Sequence, residues 1–405
     1  MLGLGFPYDW PSVARQANFI DFSDWAARFR FYHHLSFFQQ GAPLMYPAPV
    51  ALAYKIFSLG NHSVEVWGIT RRFLIIMLVS VLFMLAGLGA ALVRRGVAPV
   101  VALAFLAASL ALSFPFWFEF TRANMEFVVW LLIMLGLYLF CLGHRWSPAA
   151  LFGIAASMKI FPFVFLGLLI GRKQYRQAAF GLVAAAIVTI ASLWLLYPDV
   201  VASWHYTNGG VKLFRSTYML HLRPQEIGFD HSLFALIKRA IPVLPPPATM
   251  THLLSAYLGV VALAGIALFF TRIRHLPLLN QVTCLVVCSI LLPPTSYDYT
   301  LLHLYAPWAM MMLLWVEAAQ TGEQLRHRAA WNFSLACYAL LFTPQSEFIY
   351  HGVPLGGQIK AVTLVALLYT ALRYPLEVDR SESASTLPAR PSEASTLTLL
   401  TSGTS

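Results

Sequence analysis

Residues 149–171 read AALFGIAASMKIFPFVFLGLLIG. At 1.5 Å per residue the run is long enough to cross roughly 30 Å of bilayer hydrocarbon, yet it carries Lys159 near its centre and Pro162 three residues on. A charge and a helix breaker at mid-membrane are costly unless they face a cavity. The stretch is therefore predicted to form two half-helices, broken near Lys159 to Pro162, that enter and leave the membrane from the same side. This reading decides the fold because it sets the parity of every other crossing. Apolar segments recur at 73–93, 97–116, 125–142, 149–171, 177–197, 251–271, 276–292, 299–316, 330–344 and 359–374. Between them lie the basic clusters Arg94/Arg95, Arg145, Arg172/Lys173/Arg176, Arg272/Arg274, Arg326/Arg328 and Arg373. Short loops rich in Lys and Arg stay in the cytoplasm. If 149–171 crossed once, Arg145 and the Arg172 cluster would fall on opposite sides; with a re-entrant pair every cluster becomes cytoplasmic, and about nine crossings remain.

Composition leads to the same class. Of 405 residues 59% are hydrophobic and 11% charged, against about 25% charged in soluble domains, and the mean hydropathy is +0.68. The fold class is an all-α polytopic transmembrane bundle with one re-entrant helical pair and extracytoplasmic loops. The net charge of +10 is spread over short clusters between apolar stretches, so it marks topology and not a nucleic-acid face. Cys141, Cys284, Cys288 and Cys337 all lie within apolar segments, where buried packing is their ordinary use.

Three regions follow. Residues 1–72 form an extracytoplasmic loop with an interfacial helix. Residues 73–374 form the bundle, with the re-entrant 149–171 and an external loop at 198–250. Residues 375–405 form a Ser/Thr/Pro-rich cytoplasmic tail, expected to be disordered, in which SESASTL returns as SEASTL. An external first region needs something to carry it across. The stretch 43–59 holds Pro43, Pro47, Pro49 and Lys55 and makes a poor span, so a further membrane helix is expected upstream of residue 1.

Five segments carry candidate chemistry. FIDFSDWAARFR at 19–30 offers Asp21 and Asp24; an acid desolvated in an aromatic loop can accept a proton from a hydroxyl nucleophile, whereas the other reading is a helix cap or a solvated loop acid. Tyr46, in the YPAP at 46–49, is an interfacial anchor. TRANME at 121–126 places Arg122, Asn124 and Glu126 in a short external turn at a helix start. Arg suits a phosphate through its planar fork, although an interfacial Arg also snorkels. Lys159, within the membrane, fits a lipid-linked anion or pairs with an acid on a neighbouring helix. FDHSLFALIKR at 229–239 and PPTSYDY at 293–299 add His231, Ser232 and Asp298. No Gly-rich phosphate loop, His-Glu-x-x-His or Gly-x-Ser-x-Gly appears, so neither a nucleotide nor zinc is indicated.

At these segments, from about residue 19 to 316, the sequence resembles glycosyltransferase family 87, bacterial membrane mannosyltransferases of the C-type fold. Most specific is 122–173, RANMEF through LFGIAASMKIFPFVFLGLLIGRK, which is similar to the family's Arg/Gly/Asn turn, helix, Lys-x-x-Pro and basic turn. The first-loop Asp with Tyr-Pro-x-Pro, and the DHSL before Lys238/Arg239, also match. One departure is Tyr299, where the family often has the His of Ser-Trp-Asp-His. The resemblance implies inverting transfer of a hexose, mannose in this family, from a polyprenyl-phosphate donor to a hydroxyl of a glycan or glycolipid at the extracytoplasmic face of a bacterial plasma membrane. It implies the first-loop Asp as general base, the lipid phosphate as leaving group bound by Arg122 and Lys159, substrate contacts from Tyr46, Asn124, Glu126, His231, Ser232 and Asp298, and no cofactor or metal. The reading from another class is a transporter or flippase of a lipid-linked sugar; such folds commonly show two related halves with matching broken helices, and here one broken segment is seen.

Overall fold

A computed structural model describes residues 45–58, 66–196, 199–222, 224–243, 245–344, 348–350 and 353–379. Asp21, Asp24 and residues 380–405 of the Ser/Thr/Pro-rich tail lie outside the described residues. The fold is all-α; among the described residues the strands are two short pairs, Gln324–Leu325 with Val378–Asp379 and Ile349–Tyr350 with Val353–Pro354.

The first five helices are α1 Ala48–Ser58, α2 Val66–Arg94, α3 Pro99–Ala111, α4 Phe114–Arg122 and α5 Glu126–Cys141. The apolar run at 97–116 was expected to be one span followed by a turn. Instead the chain bends by 58° between α3 and α4. Ser113 and Pro115 explain the break: the Ser113 hydroxyl accepts from the Phe116 amide at 3.4 Å as an N-cap, and proline is tolerated in a helix only at its first turn. Residues 117–122, read as loop, are thus helical, and only Ala123, in the left-handed region at φ 51°, turns the chain into α5.

Next come α6 Trp146–Met158, a 3₁₀ turn Phe161–Phe165, α7 Leu166–Gly171 and α8 Tyr175–Leu196. The break expected at Lys159 to Pro162 is present: α6 stops at Met158 and Lys159 is extended, φ −143°, ψ 143°. The expected arrangement in the membrane is checked by His144→Cys and Gln174→Cys, which should label from the same side; labelling from opposite sides would contradict the re-entrant reading. α6 and α8 pack through small residues. A Cβ added at Gly153 would overlap the Gly181 carbonyl oxygen, and one at Gly181 would lie 2.8 Å from the Ala149 carbonyl oxygen. Small residues let helices approach closely in lipid. Gly153→Val is therefore expected to destabilise the protein by about 3 kcal/mol or more, read as a lower unfolding midpoint in detergent; an unchanged midpoint would disprove the close approach.

The remaining helices are α9 Val200–Phe214 with a π turn Arg215–Met219, α10 Pro224–Phe229, α11 Leu233–Arg239, α12 Pro247–Thr271, α13 Leu278–Leu291, a 3₁₀ helix Asp298–Leu304 continuing into α14 Tyr305–Thr321, α15 Arg328–Phe342 and α16 Gly356–Arg373. The segment 198–250, read as a loop, is thus largely helical. Its helices are short and mixed in composition, so no 20-residue apolar run announces them.

Among the described residues four helical stretches are long and apolar enough to cross a membrane, Gly68–Arg94, Tyr175–Leu196, Pro247–His275 and Asp298–Thr321, or five with the bent pair α3–α4. The sequence-based count of about nine relied on shorter helices as well. α13 shows why they differ: every residue but Gln281 is buried, so it is a core helix and not a lipid-facing one. It packs against α16, α14 and the 3₁₀ turn at 161–165. Lipid-type surface lies elsewhere, as on α2, where Phe83 is 81% exposed. Polar clamps close the bundle. Lys55 on α1 donates to the Leu195 and Leu196 carbonyls at 2.6 and 3.1 Å, satisfying acceptors that the end of α8 leaves open. Asn280 on α13 donates to the Ala371 and Tyr374 carbonyls at 2.6 and 2.8 Å, fixing the end of α16.

Candidate active site

The centre is built where the α4–α5 turn, the α6 break and the 3₁₀ helix before α14 meet. Glu126, the first residue of α5, is fully buried and ion-paired with Lys159; its other oxygen lies 2.6 Å from Nε2 of His303. Around it, the Glu126 amide donates to Asn124 Oδ1 at 2.9 Å, Asn124 Nδ2 donates to the Tyr46 hydroxyl at 3.1 Å, and the Phe127 amide donates to Glu119 at 3.2 Å. Lys159 sits 4.9 Å from the Tyr299 ring centroid, Tyr299 stacks on Phe118 at 6.3 Å, and the Arg122 guanidinium lies 5.9 Å from the Phe118 centroid. Both cations thus flank one aromatic pair. His303 packs edge-on against Phe161 at 5.1 Å.

Tyr46, Arg122, Asn124, Glu126 and Lys159, chosen from three separate stretches of sequence, therefore come together. Lys159 is not a lone cation but the partner of an acid on a neighbouring helix, the other reading weighed for it. Glu126 has both oxygens engaged, by Lys159 and His303, and its side chain has no exposed surface. Tyr299, standing where the family has His, lies over Lys159, while the imidazole of the centre comes from His303.

One turn along α5 from Glu126 is Trp130, and beside His303 is Leu302. These two help to line an apolar cavity of about 110 Å³ between α2, α3, α4, α5 and α14, with Met84, Leu110, Phe116 and Trp308 among its walls. The charged centre therefore borders a space suited to hydrocarbon.

His231, Ser232 and Asp298 fall in a second cluster. Asp298 pairs with Lys360 of α16 at 2.5 Å and lies 3.8 Å from Nδ1 of His231. His231 Nε2 is 3.0 Å from the Ser296 hydroxyl and 3.1 Å from that of Thr300. Ser232 caps α11 by accepting from the Ala235 amide at 3.0 Å. These groups are buried and turned toward one another, so in this structure they join the 229–239 segment, the 293–300 turn and α16. Asp230 completes the joint, accepting from the Ser232 and Ser296 amides, both at 2.9 Å, while a Cβ at Gly357 would lie 2.6 Å from the Asp230 carbonyl oxygen.

Burial pushes the Asp230 carboxyl up to about 6, against the pull of Lys238 and the two amides; burial and the charge of Lys360 hold the His231 imidazole well below its usual range. A carboxyl raised in the folded state keeps a proton that the unfolded chain has lost, so the stability it contributes is full below the ordinary value of 3.8 and is lost as pH rises toward about 6. Asp230→Asn is expected to flatten the dependence of unfolding midpoint on pH across that window; an unchanged slope would assign the dependence elsewhere.

Sequence reading missed His303 and Lys360, which lie within segments scored as apolar runs. The argument applied to Lys159, that an ionisable group at membrane depth has a partner or a function, would have flagged both.

Fold and centre together define a polytopic, all-α membrane protein with a buried charged centre bordering an apolar cavity. Residues 44–294 match glycosyltransferase family 87. The match covers more than half of the chain, and the chain belongs to that family: it is a membrane-embedded glycosyltransferase. That membership sets aside the transporter reading. No curated protein and no solved structure matches the chain.

Proposed function

We propose that the protein moves a hexose, mannose in the family's manner, from polyprenyl phosphate to a hydroxyl of a glycan or glycolipid on the extracytoplasmic side of a bacterial plasma membrane. The observation that supports a lipid-linked donor most is that Trp130, one turn along α5 from Glu126, and Leu302, next to His303, line an apolar cavity, while Glu126 itself pairs with Lys159. A lipid phosphate needs a cation for its head and hydrocarbon for its tail. Arg122 and Lys159 serve the phosphate, and Asp21, ahead of Asp24, serves as general base. The acceptor oxygen attacks the anomeric carbon from the face opposite the phosphate, the carbon–oxygen bond to phosphate breaks with its electron pair leaving on the phosphate, and the acceptor proton passes to the aspartate. The configuration inverts. A phosphate diester leaves readily, so the electrostatic task is modest.

The test gives purified protein polyprenyl-phosphate mannose or, separately, nucleotide sugars, together with a membrane glycolipid extract as acceptor. Release of polyprenyl phosphate coupled to transfer supports the reading; transfer from nucleotide sugars with none from the lipid donor overturns it.

A further inference from the structure

The charges at the centre balance too well for an anion site at rest. Glu126 is paired with Lys159, so an incoming phosphate meets a cation that is already matched. Geometry separates the members of the main pair. The Glu126 side chain is 0% exposed and His303 holds it from the other side, whereas the Lys159 side chain is 17% exposed. Lys159 stands at a break in the backbone, beside Ile160, which is 80% exposed. An anion arriving from outside can therefore reach the lysine but not the carboxylate. Lysine's four-carbon stem can turn its ammonium to a new partner without moving the helix.

We propose that Glu126 is the resident counter-ion of an anion site whose cation is Lys159, and that the lipid-linked phosphate binds by exchanging with it while His303 keeps the carboxylate. The inference rests on the donor reading above and adds a gate to it. The ion pair is the closed state, the lysine turned toward phosphate is the open one, and the apparent affinity is lowered by the fraction of protein that is closed. Hydrocarbon in the neighbouring cavity supplies the binding that favours the open state for an amphiphile over a free anion.

The test measures binding of polyprenyl monophosphate and of the uncharged polyprenol to full-length protein in nanodiscs. Glu126→Gln removes the counter-ion while keeping shape, and should bind the phosphate about tenfold more tightly or better, with the alcohol unchanged. Glu126→Asp, which keeps the charge but shortens its reach, should shift in the same direction by less, and it serves where the Gln variant does not fold. The double variant Lys159→Met/Glu126→Gln should lose the preference for phosphate over alcohol. Affinity for the phosphate unchanged or weakened in both Glu126 variants would overturn the exchange. A wild-type protein that binds phosphate and alcohol alike would instead overturn the donor reading beneath it.

Discussion

Asp21→Asn is expected to lower the rate of hexose transfer by about 10²–10⁴-fold while leaving donor binding in place, because the substitution keeps the shape of the side chain and removes only its capacity to accept a proton. Transfer measured at saturating donor, with donor affinity measured separately, checks both halves. Asp21 lies three residues before Asp24, and the same assay on Asp24→Asn separates the two. A near-normal Asp21→Asn beside an inactive Asp24→Asn would move the base along the loop. Full activity in both would remove this loop from the chemistry.

The second large effect is on folding, and it is asymmetric. Lys159→Met leaves Glu126 buried with no exposed surface and only His303 as a partner, and breaking a buried pair in this way costs about 3–5 kcal/mol. Glu126→Gln leaves behind a lysine that still reaches the exterior, so its cost is expected to be clearly smaller. The double variant, which leaves no unmatched charge, should recover much of what Lys159→Met loses. Denaturant unfolding in mixed micelles reads all three. Equal losses in the two single variants would mean that both ends of the pair are equally buried in solution.

Much of this architecture was legible because bilayer physics writes it into long apolar runs. The segments read at 73–93, 177–197 and 251–271 return as helices Val66–Arg94, Tyr175–Leu196 and Pro247–Thr271, and the break in 149–171 was visible from one lysine and one proline. The bend between α3 and α4 was hidden because Ser113 and Pro115 sit among phenylalanines that keep the run apolar. Amphipathic helices at 200–239 were hidden for the opposite reason: their mixture of polar and aromatic residues resembles a loop when only hydropathy is read.

The site divides in the same way. Arg122, Asn124 and Glu126 could be picked out as a polar external turn at a helix start and Lys159 as a charge at membrane depth, but nothing in their spacing says that Glu126 would be the lysine's partner. His303 is 177 residues from Glu126 along the chain, and Lys360 is 62 from Asp298. Such pairings belong to packing and cannot be read from local pattern. The matched family region ends at 294, before His303 and Lys360, so the centre draws on residues beyond the stretch that identifies the family.

The central claim is that a lipid phosphate meets its cation at the α6 break with its first isoprene units in the adjoining cavity. A polyprenyl phosphate carrying a photoreactive diazirine in the isoprene unit next to the phosphate tests it directly. After irradiation and peptide mapping, adducts are expected on Ile160 and on cavity residues such as Trp130, Leu302 and Trp308, and they should be competed away by unlabelled polyprenyl phosphate. Competable adducts confined to α12 or α15, with none at the break or the cavity, would contradict the account.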